Sequence, residues 1–251
     1  MSQKIISIII ATYNASDTIL GCLDSIENEI NSDCELIIID GNSTDNTLDL
    51  LNEKIELIDV LISEPDKGIY DAWNKGIEKS KGKWIMFLGA DDILLPDAII
   101  SYINVLTKLN KDNEPDYICA RNEYVDEDGN LIMMLGKPAI WDNMRRMNMA
   151  AHVGSLHNKF TLFNQVGLYD LKFKICGDYE LLLRKKEKLK SIFVPNIIAR
   201  MYTGGMSFTY KAILEVYYIR KLHRSVSNLM NVILFIRDIL FFSTFSLRKK
   251  T

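Results

Sequence analysis

The sequence predicts an α/β fold built on a mostly parallel central sheet flanked by helices. Three observations carry that prediction. Strand-like and helix-like stretches alternate through the first 95 residues. Several strand-like runs are continuously apolar and rich in β-branched residues, as in strands covered on both faces. Three of them end in polar loops, Thr12-Tyr13-Asn14, Asp40-Gly41-Asn42 and Asp91-Asp92. Open α/β sheets bind ligands beyond the carboxyl ends of their strands, so these loops are expected to converge on one edge.

Lys4 to Ala11 is the first strand. Ser16 or Asp17 then opens a helix to about Glu29, with Ile19, Leu20, Leu23 and Ile26 on one face. Glu35 to Asp40 is the second strand, followed by a loop over 41–46 and a helix from Thr47 to Lys54. Ile58 to Ile62 is the third strand, and Ser63-Glu64-Pro65-Asp66-Lys67-Gly68 is a turn rich in breakers. A helix through Ile69, Trp73 and Ile77 leads to the central strand, Trp84 to Leu88. That strand ends in Gly89, Ala90 and two adjacent carboxylates, which are costly to bury unless paired or bound to a cation. As a fragment, Asp91-Asp92 reads either as a cation site or as a cap for the helix opened by Pro96-Asp97.

The second half is less regular. Ala98 to Leu109 reads as a helix. Tyr117 to Ala120, Glu123 to Asp126 and Leu131 to Leu135 read as short strands, with Asp128-Gly129 as a hairpin turn. Trp141 to Met147 and Lys159 to Val166 read as short helices, and Ile192 to Pro195 and Ile197 to Tyr202 as two strands. Asp178 to Glu187 is a helix with Asp178 and Glu180 in its first turn, where acids suit the dipole. Asp178 therefore has a capping reading.

Composition narrows the function classes. The 251 residues are 48% hydrophobic and 25% charged with a net charge of −3, a globular profile without the basic footprint of a nucleic-acid binder. Cys22, Cys34, Cys119 and Cys176 are scattered, with no Cys-x-x-Cys, so packed, reduced thiols are expected rather than a zinc ribbon or a disulfide framework. The apolar N-terminal run is too short for a signal peptide, and no export is expected. No Gly-x-Gly-x-x-Gly follows a strand, which excludes a dinucleotide oxidoreductase. Ala11-Thr12-Tyr13-Asn14 lacks the glycine and basic residues that a sugar-1-phosphate nucleotidyltransferase needs.

Taken together, the motifs resemble family 2 glycosyltransferases. Ile8 to Asn14, Ile39 to Asp45, Glu64 to Gly76, Phe87 to Asp92, His152 to His157, Gly167 to Asp170, Gly177 to Arg184 and Gly204 to Ser207 follow that family's order over residues 4 to 208. The resemblance implies a GT-A fold with a Rossmann-like sheet, a nucleotide-sugar donor, Mn²⁺ or Mg²⁺, and inversion at the anomeric carbon. It implies a catalytic domain over 1–208, with a nucleotide-binding half (1–95) and an acceptor half (96–208), and a helical segment over 209–251.

By position, Thr12, Tyr13 and Asn14 would border the nucleotide. Asp40 would hold the base or ribose, Asp66 would face the nucleotide, and Asp71 and Asn74 would line the pocket or brace it. Asp91 and Asp92 occupy the family's Asp-x-Asp position as Ala90-Asp91-Asp92, with Asp92 expected on the metal. One or two carboxylates plus substrate phosphates suit such a cation. Asp178 matches the catalytic base, which an inverting displacement needs for the acceptor hydroxyl. Its capping and base readings are compatible. His157 has a metal or phosphate reading beside a bland core one, and His152 a pocket reading. Arg184 and Arg200 read as phosphate contacts or ion pairs. Gly204-Gly205-Met206-Ser207 reads as a lid.

Leu229 to Leu247 is strongly apolar, interrupted by Arg237 and Asp238. A span wants ~20 mostly uncharged residues. An interfacial helix, a helix packed on the domain or in a dimer, and a single span are the three readings. The interfacial one is supported by Arg248-Lys249-Lys250 and their attraction to anionic lipid. The resulting expectation is a hexosyltransferase-type enzyme of surface polysaccharide assembly. It would act on a glycan or polyprenyl-diphosphate-linked saccharide, in the cytoplasm at the inner face of the cell membrane, touching the membrane through 229–250. Oligomeric state is left open. The alternative is a non-catalytic nucleotide-sugar binding module.

Overall fold

The structure is a computed structural model and describes residues 4–110, 114–147, 153–205 and 209–248, with side chains described to residue 244. In chain order the first half runs β1 (Ile6–Thr12), α1 (Ile19–Glu27), β2 (Cys34–Asp40), α2 (Thr47–Glu53), β3 (Val60–Ser63), α3 (Ile69–Lys79) and β4 (Trp84–Gly89). The second half runs β5 (Ile93–Leu94), α4 (Ala98–Leu106), β6 (Tyr117–Val125), β7 (Leu131–Leu135), α5 (Trp141–Met144), β8 (Leu156–Asn158), α6 (Asn164–Val166), α7 (Gly177–Leu183) and β9 (Ser191–Tyr202). Two helices follow, α8 (Tyr210–His223) and α9 (Asn228–Arg248).

All these strands join one sheet in the order β3-β2-β1-β4-β8-β6-β9-β5, with β7 on β6. The β3-β2-β1-β4 half is parallel throughout, as the alternating pattern requires. The second half mixes directions: β8 is antiparallel to β4 and β6, while β6 and β9 are parallel. Successive strand residues face opposite sides, and the core divides accordingly. Ile6, Ile8, Ile10, Leu36, Ile38, Met86 and Leu88 pack under α1 and α4. Ile9, Ile37, Ile39, Ile85 and Phe87 pack under α3, α7 and α8. Gly76 lets α3 approach, since a Cβ there would meet Ile9 Cγ2 at 2.5 Å.

Several boundaries differ from the sequence reading, for local reasons. The two strands expected on either side of Pro195 are one strand, β9, whose pairing with β6 shifts register between Cys119↔Phe193 and Arg121↔Ile197. A proline has no amide to donate, so the ladder skips there and resumes. The same shift joins the two segments expected within β6. The helix expected from Lys159 opens as a π-turn capped by Asn158 Oδ1, which accepts from the amides of Phe160 and Thr161. All four cysteines are buried and free.

Candidate active site

Strand register sets the site. Thr12 pairs with Asp40, Asp40 with Ser63 and Ala11 with Gly89, so the three polar loops share one sheet edge, as expected. Thr12 is buried there, and its Oγ1 has no hydrogen-bond partner among the described residues.

The 41–45 loop is held from behind. Asp40 is fully buried, and its oxygens accept from the Ser43 amide (2.9 Å), the Ser43 hydroxyl and the Ser63 hydroxyl (2.6 Å). Asn14, at φ 48°, accepts the Thr44 amide at 2.8 Å. These two side chains shape the loop. Asp40, which the resemblance assigns to a base or ribose, braces that loop through these bonds. Tyr13 is 63% exposed. A Cβ on Gly41 would meet Asp66 Oδ2 at 2.6 Å and the Tyr13 ring at 3.3 Å, so Tyr13, Gly41 and Asp66 meet at one point. Asp66 and Asp71 also turn into their own chain, accepting the amides of Gly68 (2.8 Å) and Lys67 (3.0 Å) and so organising the start of α3. Asn74 takes the bracing role: its amide group bonds both the carbonyl and the N–H of Tyr169, at 3.0 and 2.9 Å.

Asp91 and Asp92 fold over Gly89. A Cβ there would meet Asp91 Oδ1 at 2.7 Å and Asp92 Oδ2 at 2.8 Å, so glycine is what lets the two carboxylates lie together. Asp92 is buried and accepts the Gly89 amide at 2.6 Å, whereas Asp91 is exposed. Burial, and then the neighbouring Asp91 charge, push the Asp92 carboxyl up to about 7. Neither acid forms an ion pair among the described residues. They do not cap α4 either. Its first amides are taken by Glu29, which accepts from Asp97 at 2.9 Å and Ile99 at 3.2 Å. The described residues hold no group of three His, Cys, Asp or Glu able to form an all-protein cage. Two carboxylates without a counter-ion fit a hard divalent cation completed by substrate oxygens.

Asp178 stands in the first turn of α7, opposite α3. The Tyr70 hydroxyl lies 3.3 Å from both Asp178 Oδ1 and the Asp178 amide, and 2.7 Å from the Ile175 carbonyl. Burial pushes the Asp178 carboxyl up to about 6, against the lowering effect of the Tyr179 amide and the Tyr70 hydroxyl. Tyr70 packs edge-on to Trp73 (5.4 Å) and against Tyr169 (5.1 Å), which fixes the hydroxyl. Tyr70 falls within the Glu64 to Gly76 motif, where the sequence by itself gives it no role.

Asp91, Asp92 and Asp178 line one cleft of about 720 Å³. Its remaining walls include Tyr70, Trp73, Gly204 and Gly205, and the inner faces of α8 and α9. Of the expected lid, Met206 and Ser207 lie outside the described residues, as does His152. The cleft is not lined by His157, which is fully buried among Phe87, Tyr117 and Phe163. Its Nδ1 lies 3.3 Å from the Ile85 carbonyl, and burial lowers its pKa to about 3. The metal reading of His157 is corrected by that placement: this ring packs β8 against β4. Arg184 and Arg200 are ion-pair residues, with Glu180 and Glu123 respectively.

The sequence model described as Glycosyl transferase family 2 matches residues 7–172. The chain is 28% identical over 196 residues to a PGL/p-HBAD biosynthesis glycosyltransferase of Mycobacterium bovis, covering 73% of this chain and 70% of that protein. It is 29% identical over 192 residues to the chondroitin synthase of Pasteurella multocida, covering 73% of this chain but 19% of the synthase. Among solved structures it resembles S. aureus TarS 1-349 in complex with UDP-GlcNAc (TM-score 0.70, 13% identity, 92% of this chain and 69% of that one). It also resembles the mannosyltransferase PcManGT of Pyrobaculum calidifontis with GDP-Man and Mn²⁺ (TM-score 0.62, 15% identity, 95% and 75%). At those identities the structural likeness carries the fold alone.

Proposed function

We propose that this chain, which belongs to glycosyl transferase family 2, moves a sugar with inversion from a nucleoside-diphosphate sugar to a hydroxyl of a glycan or lipid-linked saccharide. The setting would be surface polysaccharide or glycolipid assembly. That it is a glycosyltransferase follows from the family. The finer reading is carried by one observation: Asp91, Asp92 and Asp178 face a single cleft at the carboxyl edge of the sheet.

Thr12, Tyr13 and Asp66 border the nucleotide, with the exposed Tyr13 ring free to stack on a base, and Asn14 and Asp40 hold the loop beneath it. Asp92, with Asp91 beside it, would hold Mn²⁺ or Mg²⁺, which when bound would supply positive charge to a diphosphate leaving group. Asp178 takes the proton of the attacking hydroxyl as the new glycosidic bond forms. Tyr70 and the amides of α7 orient that carboxylate, and its raised pKa keeps it a better base than an exposed aspartate.

The membrane reading rests on α9. Its inward face carries Leu234 beside Asn231 and Asp238, while Leu229, Ile233, Ile236 and Leu240 are each more than half exposed. A helix packed for water carries polar residues on that outer face. With Lys221, Arg224 and Arg237 exposed beside it, we propose peripheral contact with an anionic bilayer at the cytoplasmic face. No helix among the described residues is long and apolar enough to cross a membrane.

The test is incubation with UDP-, GDP- and dTDP-sugars plus Mn²⁺ or Mg²⁺. One donor should bind and be slowly hydrolysed, and Asp92→Ala should abolish that turnover. If every common donor survives and none binds, the transferase mechanism is wrong. Sedimentation with phosphatidylglycerol vesicles tests α9, and Ile233→Glu/Leu240→Glu should release the protein.

A further inference from the structure

Helices α8 and α9 wall the cleft with apolar side chains: Ala212, Ile213 and Val216 from one face of α8, and Phe241 and Phe242 from α9. The polar groups these helices bring to it are bonded within the chain. Thr209 caps α8 by accepting the Ala212 amide at 3.2 Å, and Arg220 and Arg237 both pair with Asp238, at 3.0 and 2.6 Å. A sugar hydroxyl pressed against this wall would exchange water for carbon neighbours, which is costly. A hydrocarbon group there would gain by leaving water. The apolar lining also continues out of the cleft. Phe242 meets the ring of Tyr210 edge-on, at 4.5 Å between centroids. Tyr210 is 55% exposed and begins a row with Leu214, Tyr218 and Leu222, which follow at every fourth position along α8 and are all exposed. Phe242 therefore joins the cleft to the outer apolar row.

We propose that Ile213, Phe241 and Phe242 form a seat for the hydrocarbon chain of a glycolipid acceptor, with the rest of that chain running past Tyr210 onto the outer row of α8. Asp178 lines the same cleft, so the sugar attached to such a chain would have its hydroxyl near that carboxylate. The cleft, about 720 Å³, has the size of a small-molecule pocket, and a donor sugar would share it. The reacting sugar would therefore be the one bonded to the chain or the next one along, not the far end of a long glycan. A chain leaving the cleft would follow apolar surface instead of water. The inference rests on the transferase reading, whose acceptor it narrows to one with a hydrocarbon chain beside the reacting sugar.

The experiment titrates the full chain calorimetrically with methyl, phenyl and octyl β-D-glucoside, each below its micelle threshold, so that only the group on the sugar changes. Wild type should bind the octyl probe about tenfold or more tightly than the methyl one, and more tightly than the phenyl one. Phe241→Ser and Ile213→Asn should each lose most of that advantage. Phe241 is 58% exposed, so its removal leaves the core in place. If a melting curve shows one variant unfolded, the other carries the comparison, and the wild-type series can overturn the seat without either. Ile233→Glu/Leu240→Glu, on the outside of α9, should bind octyl glucoside like wild type. Octyl no tighter than methyl, phenyl as tight as octyl, or both cleft variants unchanged overturns the seat. So does loss of octyl binding in the α9 double variant with Phe241→Ser unaffected, because the chain would then lie on the outer surface. If a nucleotide-sugar is bound and hydrolysed while octyl has no advantage, the transferase reading stands without the seat. If no nucleotide-sugar binds while octyl binding still depends on Phe241, the seat stands and the transferase mechanism fails.

Discussion

The Glu215 carboxylate on α8 accepts the Cys176 amide at 2.5 Å, and in the same grip takes the amides of Lys174 (2.7 Å) and Ile175 (2.8 Å). Cys176 is the N-cap of α7, so a side chain from α8 satisfies the helix start that carries Asp178. The family match ends at residue 172, before both Asp178 and Glu215. Helix α8 thus holds the start of the helix that carries the proposed base.

Glu215→Ala should cost about 1–3 kcal/mol, because it strands these amides. It should also lower kcat more than it weakens donor binding. Glu29→Ala is the control, since Glu29 serves the same purpose for α4 on the opposite layer. It should lower the melting temperature alone. Equal kcat losses in the two variants would mean that Glu215 acts only through stability.

Asp178→Asn should reduce kcat by roughly 10²–10⁴-fold while leaving donor affinity within a few-fold. A base must be ionised, and this carboxyl sits at about pH 6, so kcat/KM should fall as pH drops below that value and level off above it. A flat profile from pH 5 to 8 with an active Asn variant would remove Asp178 from the reaction.

Gly89→Ala should impair turnover without unfolding the chain. The new Cβ would strike only carboxylate oxygens at 2.7 and 2.8 Å, and these can move aside. Displacing the pair by such a distance should cost roughly 10²-fold in rate. Weakened Mn²⁺ binding by titration, with a melting temperature near wild type, is the expected pattern.

His157 should make the fold acid-labile. Burial holds it neutral down to about pH 3, whereas the unfolded chain protonates near 6.5. Between those values the unfolded state binds more protons, so stability rises with pH and is lost on acidification. This one residue should cost about 2 kcal/mol between pH 7 and pH 5. In urea titrations, wild type should lose about 2 kcal/mol more stability than His157→Phe between pH 7 and pH 5. Parallel pH dependences would place the acid-labile group elsewhere.

The parallel half of the fold was legible because its information is local. Continuous β-branched runs, breaker-rich turns and amphipathic helices each follow from residues adjacent in sequence, and together they admit few topologies. The common edge of Thr12, Asp40 and Gly89 follows as well, since parallel strands place their carboxyl ends together. The second half is less so, because its β8 and β9 pairings join residues far apart in sequence, and Pro195 masks the continuity of β9.

The motifs named Asp91, Asp92 and Asp178, but only the tertiary structure decided what each neighbour does. Asp40 and Asn74, polar residues in recognisable motifs, became braces because their hydrogen bonds are spent on backbone and neighbouring hydroxyls. His157 became core because β8 inserts it between strands. Glu215 carries no sequence signal. A carboxylate acquires its role from the amides it meets after the chain has folded, and that meeting is a property of packing rather than of sequence spacing.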